Sequence, residues 1–250
     1  MLMNLYRKMD KDKIQFDFVV HSMKKGDFDD EIRTLGGKVY HMPRYTGRNH
    51  FLYVKKWKQF FLTHPQYLVI HGHIRSTAAI YLKLAKNFNR ITIAHSHGTS
   101  SRGNLLERFV KMALQYPIRY TADYFFACSK EAGKWLFGNK VCQGKNFKIL
   151  NNAIDNEKFV FSEITRNKIR KELGVERDFV VGHVGNFDPV KNHVFLIDIF
   201  NCLYKKDPTC SLLLVGGGDM ALQTAMEEKA RKMGLSGKVK FLGKRDDVNK

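Results

Sequence analysis

Acidic side chains are scarce in this sequence: 24 of 250 residues are Asp or Glu, and none lies between Glu31 and Glu107. Cysteine is scarcer still. Cys128, Cys142, Cys202 and Cys210 show no CxxC or other ligand spacing, which excludes a zinc finger or a disulfide scaffold and points to a reduced, cytoplasmic setting. No apolar run approaches the roughly 20 residues that span a bilayer. Met1 to Asp10 does not read as a signal peptide, because its apolar part is too short and charge follows at once. Nucleophile elbows and P-loops are also lacking, as are repeats and low-complexity segments.

What is present is positive charge, unevenly spread. The 43 Lys and Arg give a net charge of +19. Residues 1–150 hold 26 basic and 10 acidic side chains, residues 151–250 only 17 and 14. Arg33, Lys38, Arg44, Arg48, Lys55, Lys56, Lys58, Arg75, Lys83, Lys86, Arg90 and Arg102 fill the acid-free stretch. Such a field attracts nucleic acid, anionic lipid or phosphorylated substrate alike. In "HFLYVKKWKQFFLTHP" the aromatics Phe51, Tyr53, Trp57, Phe60 and Phe61 alternate with lysines. That pattern suits a helix in a membrane interface or an aromatic face packed on a sheet.

Short β-rich runs alternate with helical stretches, the pattern of βα units around a parallel sheet. Expected strands are 14–20, 39–42, 67–71, 91–95, 124–128 and 147–150, with helices at 27–35, 51–62, 76–88, 105–120 and 129–137. After "NNAIDNEKFVFSE" the alternation restarts with helix 163–173, strand 179–184, helix 189–204, strand 211–215, helix 220–233 and strand 239–242. The expected fold class is α/β: two Rossmann-like, doubly wound parallel-sheet domains facing a cleft, residues 1–155 and 156–250. Ligands of such sheets bind beyond the carboxyl ends of the strands. Helix-like residues 1–9 with no preceding strand, and an end just after a strand, suggest that both domains are incomplete here.

Four local features carry candidate chemistry. In "VGHVGNFDPVKNHVFL", Asp188 is an N-cap and Pro189 suits the first helical position, which puts Lys191 in the first turn. Its ammonium would then point back over the Gly185 loop, making an anion site with the helix N-terminus. Asp188 competes for the same amides. "LLLVGGGDMALQ" satisfies G-x-G-x-x-A at Gly216, Gly218 and Ala221, but the next strand ends in Leu242, Gly243 and Lys244 without the acid a dinucleotide fingerprint needs. A tight strand-to-helix turn is the better reading. The pairs His71/His73 and His95/His97 each end a strand and share a face. Without a nearby carboxylate or thiolate they read as acid/base or substrate-binding groups and no metal is expected, His97 being preferred because Gly98, Thr99 and Ser100 continue it into a polar loop.

Taken in order, these segments resemble bacterial glycosyltransferases of the family 4 type, the GT-B group that builds capsular and extracellular polysaccharides. "IAHSHGTSS" is similar to the acceptor-side loop, "DYFFACSKEAGKWLFG" to the strand and helix before the domain crossing, and "ILNNAIDNEKF" to the linker. "VGNFDPVKNH" is similar to the donor loop, and "LLLVGGGD" and "VKFLGKRDDV" to the segments that follow it. The resemblance implies a retaining, metal-independent hexosyl transfer with no cofactor, from a nucleotide-sugar to a glycan or lipid-linked acceptor. The enzyme would sit in the cytoplasm at the inner membrane face, on anionic lipid and without nucleic acid.

By position, the resemblance implies that His97 is catalytic and that His73, Arg75, Gly98 and Thr99 face the acceptor. It likewise implies that Gly185, Asn186, Lys191, Gly216, Gly218, Gly243 and Lys244 surround the donor. Asn186 departs from the pattern, since many members have an arginine there that partners the lysine. The family's first strand and its acidic E-x7-E segment are not in the sequence, which makes the activity of this chain uncertain on sequence grounds. A non-catalytic module binding nucleic acid or nucleotides is the alternative that the basic half leaves open.

Overall fold

Apolar residues in strand-sized runs form parallel ladders, and the helices between them bury one stripe each. In the computed structural model, which describes residues 2–99 and 104–250, the chain divides into two units, Met1–Ile154 and Asp155–Lys250.

The first unit runs α1 (Leu2–Lys8), β1 (Phe18–Val20), α2 (Asp29–Thr34), β2 (Val39–His41), α3 (His50–Thr63), β3 (Val69–Gly72), α4 (Arg75–Asn87) and β4 (Ile91–Ser96). It continues with α5 (Leu105–Gln115), α6 (Ile118–Thr121), β5 (Tyr124–Ala127), α7 (Lys130–Cys142) and β6 (Phe147–Ile149). Strands β3 to β6 form a parallel sheet in sequence order, and β1 pairs with β2, also in parallel. The second unit runs α8 (Glu163–Glu172), β7 (Phe179–Val184), α9 (His193–Lys206), β8 (Cys210–Val215), α10 (Met220–Lys232) and β9 (Val239–Gly243), its strands parallel in the order β7-β8-β9. Short 3-10 turns occupy Asn156–Phe159 and Pro189–Lys191.

Three helices differ from the sequence expectation, each for a backbone reason. The stretch 105–120 divides into α5 and α6 at Pro117, which has no amide to donate. Within α7, Gly138 adopts φ 79°, so the helix runs on past Phe137 but with a break. Asn192 takes the left-handed conformation at φ 49°, which separates the Pro189–Lys191 turn from α9. Lys191 therefore lies in its own 3-10 turn, not in the first turn of the long helix.

The aromatic helix α3 packs inward. Tyr53, Trp57, Phe60 and Phe61 are buried in the first unit's core with Tyr81, Leu82 and Phe137, while Phe51 is 88% exposed. Trp57 stacks on Tyr81 at 5.1 Å. These aromatics thus face the protein core, as the packing alternative expected, but chiefly against α4, with Phe60 meeting Tyr40 of β2. Helix α5 is arranged the other way round. Gln115 is its only buried residue, whereas Leu105, Leu106, Phe109 and Met112 are exposed, Leu105 at 82% and Phe109 at 63%. At 100° per residue these four lie on one side of the helix with Tyr116 beyond them, while the half-buried Lys111 and Leu114 lie across from them and Gln115 at the border. No helix among the described residues is long and apolar enough to cross a membrane.

Candidate active site

In each unit the residues singled out in the sequence gather where parallel strands end. In the second unit β7, β8 and β9 deliver Gly185, Gly216 and Gly243 to one carboxyl edge. The three loops are joined by backbone: Gly185 N–H donates to the Val215 carbonyl at 2.9 Å, Gly216 N–H to Gly243 at 2.8 Å, and Phe187 N–H to Gly217 at 2.8 Å. This joining explains the glycines. Gly216 (φ 153°) and Gly218 (φ 134°) use conformations that L side chains rarely adopt, and a β-carbon on either would strike the backbone of Gly185 or Phe187. Their first task is the close approach of two loops.

Lys191 reaches back over Gly185: its Cδ and Cε lie 3.5 Å from where a β-carbon on Gly185 would be. Asp188 accepts from the Val190 amide at 3.0 Å and so caps the 3-10 turn. The N-terminus of α9 has no side-chain cap, so Asp188 takes an amide of the turn that carries Lys191 and not one of the long helix. At the neighbouring loop Asp219 accepts from the amides of Ala221 and Leu222 at 2.9 and 3.2 Å. Its carboxylate fills the helix N-terminus where a dinucleotide pyrophosphate would bind, in keeping with the turn reading of that motif. Asn186 and Lys244 are exposed on the same edge.

The sequence reading overlooked two residues here. His193, 2% exposed, stacks on Phe187 at 4.5 Å and meets His183 edge-on at 4.9 Å. Neither ring nitrogen of His193 has a protein partner, nor does Nε2 of His183. Burial, then His183 and the Lys191 cation, lower the pKa of His193, so it is neutral at pH 7. The available signal was local: His193 is two residues from Lys191 in "VKNHVF".

In the first unit β3 and β4 bring four imidazoles together. His71 Nε2 lies 3.1 Å from His95 Nδ1, and His73 Nδ1 lies 2.8 Å from His97 Nε2. Their rings stack 4.2–5.2 Å apart. Burial and the neighbouring imidazoles push His71 down to about 4, His73 to about 2 and His95 to about 3. His97 is lowered too, by burial and the Arg75 cation. All four are therefore neutral near pH 7, able to accept a proton or a ligand through a ring nitrogen. Arg75 donates to the Gly98 carbonyl at 2.8 Å and lies 4.9 Å over the Trp135 ring, which fixes the loop start beside His97. Thr99 is exposed next to it; Ser100 and Arg102 lie outside the described residues. His73, Arg75, His97, Gly98 and Thr99 thus share one edge.

Comparison with known proteins places this geometry. CapH of Staphylococcus aureus, a capsular polysaccharide biosynthesis glycosyltransferase, is 27% identical over 251 residues, covering 95% of this chain and 65% of that protein. EpsF of Bacillus subtilis (strain 168) is 30% identical over 253 residues, covering all of this chain and 65% of EpsF. The chain thus spans just under two thirds of the length of either relative. Among solved structures, Anabaena HepE in complex with UDP and glucose matches with a TM-score of 0.73 at 20% identity, over 94% of this chain and 71% of that one. HepE has also been solved with UDP-glucose. WaaG, a glycosyltransferase involved in lipopolysaccharide biosynthesis, matches with a TM-score of 0.64 at 12% identity, over 99% of this chain and 66% of that one. These likenesses establish the α/β fold of GT-B glycosyltransferases. Residues 165–250 match the model described as Glycosyl transferases group 1, and residues 1–158, more than half of the chain, match Glycosyltransferase Family 4. The chain belongs to Glycosyltransferase Family 4.

Proposed function

We propose that the protein transfers a hexosyl residue from a nucleoside-diphosphate sugar to a glycan or lipid-linked acceptor in surface polysaccharide synthesis. The observation that carries this reading is the position of Lys191 over Gly185, at an edge where three strand ends converge and backbone can approach a ligand closely. A diphosphate laid there would receive the ammonium and the uncapped amides at the start of α9. As the glycosidic bond to the donor breaks, charge grows on the leaving diphosphate, and a fixed cation stabilises that charge most where it develops. The UDP and UDP-glucose complexes of HepE support a nucleotide-sugar donor.

On this reading His97, neutral and held by His73, serves the acceptor side, with Arg75, Gly98 and Thr99 shaping the approach. Transfer proceeds with retention, and neither cofactor nor metal takes part, Lys191 carrying the role that a cation has elsewhere. The membrane-facing part is assigned to α5. Its apolar side turns outward from a unit with a large excess of positive charge, which disfavours a second copy and favours the anionic cytoplasmic leaflet.

Calorimetric titration of UDP, GDP and ADP tests the donor site. A charge-assisted hydrogen bond contributes about 1.5–3 kcal/mol, so Lys191→Ala should weaken binding of the preferred nucleotide about ten- to hundredfold. Absence of nucleotide binding, or unchanged binding by Lys191→Ala, would overturn the assignment. Salt-sensitive binding to RNA with no binding to anionic vesicles would favour a nucleic-acid module.

A further inference from the structure

Two imidazoles lie beside the loop that carries Gly185. His193 is 2% exposed, and both its ring nitrogens, with Nε2 of His183, are buried without a hydrogen-bond partner among the described residues. Leaving one buried polar atom unmatched is costly, and three sit together here. They also adjoin Lys191. The point where a β-carbon on Gly185 would stand is 3.0 Å from His183 Nε2 and 3.5 Å from Cδ and Cε of Lys191.

We propose that His183 and His193 are positioning residues of the donor site: the pair takes up one proton as the diphosphate of a nucleotide-sugar binds, and so supplies a second positive charge beside Lys191. This rests on the donor reading of that edge. Within the loop, residues 185–191, Lys191 is the one cation and Asn186 is neutral, whereas a nucleoside-diphosphate sugar brings two phosphate charges. Two neutral imidazoles each have one N–H and one bare nitrogen. An added proton makes one ring a double donor and leaves its neighbour an acceptor, which gives the unmatched nitrogens complementary roles. The rings meet edge-on with centroids 4.9 Å apart, and His193 lies 4.5 Å over the Phe187 ring, whose π face favours a cation.

In the free protein that charge is opposed. Burial, then His183 and Lys191, lower the pKa of His193, and the positive end of α9 acts in the same direction. A bound diphosphate reverses the field, because it pairs with the Lys191 ammonium and adds a further negative charge. The other charged groups on the surrounding elements are already engaged. Asp188 caps its turn. Asp219, whose amide donates to the Phe187 carbonyl, accepts from Ala221 and Leu222. Lys229 of α10 pairs with Asp198 of α9 at 2.6 Å.

Calorimetry in buffers of different ionisation enthalpy counts the protons taken up, with the best bound of UDP-, GDP- and ADP-glucose as ligand, since its phosphates do not titrate near neutral pH. The wild-type chain should take up protons at pH 6.5 and none at pH 8.5. By linkage its affinity should rise about three- to tenfold from pH 8 to pH 6. His183→Gln/His193→Gln should lose both the uptake and the pH dependence. Asn186→Arg, at an exposed position, should reduce the uptake by supplying a fixed cation, and decides the matter if the double variant does not fold. Binding that needs Lys191 but takes up no proton, uptake retained by the double variant, or uptake unchanged in Asn186→Arg overturns this proposal alone. Absence of nucleotide binding overturns the donor reading and this proposal with it.

Discussion

The carbonyl oxygen of Gly185 occupies the place that a β-carbon on Gly216 would need. The oxygen belongs to backbone and a β-carbon is fixed rigidly to it, and both loops are tied to further strands, so neither can move aside. Gly216→Ala should destabilise the second unit by about 3 kcal/mol, from backbone strain and overpacking together. Gly217→Ala, where a β-carbon meets nothing within 4 Å, should stay within about 0.5 kcal/mol of the parent. Thermal melts by circular dichroism test the pair. Equal melts would show that the two glycine loops do not depend on their close approach.

The positions of the main elements were legible because periodicity and strand-sized apolar runs are local properties. Every expected strand forms, five of them shorter than expected, Phe18–Val20 by four residues, and three longer by one residue. What the sequence hid is of two kinds. The left-handed turn at Asn192, which detaches Lys191 from the long helix, has no marker in composition, since asparagine at a helix start reads equally well as a cap. The outward side of α5 depends on which face meets α4, and Leu105, Leu106, Phe109 and Met112 in a row look like core until a neighbour is placed. Likewise the H-x-H pairs predicted shared faces but not that the two faces would meet, which depends on strand order.

His193 couples stability to pH. Its folded pKa is lowered by burial first, then by His183 and Lys191, so the unfolded chain binds more protons between the folded value and the unfolded value near 6.5. Stability from this group is therefore fully present above about pH 6.5 and is lost as pH falls through that value toward the folded pKa. Replacing the ring with an apolar one of similar size removes the proton. His193→Phe should lose less stability than wild type between pH 7 and 5 in urea titrations, and a pH dependence identical to wild type would contradict the burial argument.

Asp123 works with the opposite charge but the same sign of pH dependence. Burial raises its pKa, but hydrogen bonds from Lys86 and Thr92 outweigh this and hold the carboxyl below its usual range. The Thr92 amide and hydroxyl donate at 2.9 and 2.7 Å, and Lys86 stands 2.8 Å away. Stability from Asp123 is present above about pH 3.9 and falls as pH drops through the lower folded value. Asp123→Asn should cost about 1–2 kcal/mol at pH 7, a partly exposed ion pair adding little to the hydrogen bonds. The difference from wild type should shrink below pH 4.

Helix α5 supplies a test of the membrane reading that leaves the fold intact. Its Leu106 and Phe109 are exposed, so replacing them removes no core contact. Burial of such a side chain contributes about 1.5–3 kcal/mol when complete. Leu106→Ser/Phe109→Ser should weaken sedimentation with phosphatidylglycerol vesicles at least tenfold, with an unchanged melting temperature. Phe51→Ser, on the aromatic helix whose other rings are buried, should have a smaller effect. Equal vesicle binding by all three proteins would remove α5 from the interface.

Asn186 stands exposed on the donor edge beside Gly185, where the related pattern has an arginine. An amide contributes at most a neutral hydrogen bond to a phosphate, whereas guanidinium supplies two parallel charged donors. If the diphosphate lies over Gly185, Asn186→Arg should tighten UDP binding about tenfold, the equivalent of about 1.4 kcal/mol. Uridine, which lacks phosphates, should bind both proteins alike. Combined with Lys191→Ala, the new arginine should recover part of the affinity lost, because both cations would act on the same two phosphates. An equal gain for uridine and UDP would place the arginine against the base or ribose, and no gain at all would move the diphosphate away from Gly185 and with it the role assigned to Lys191.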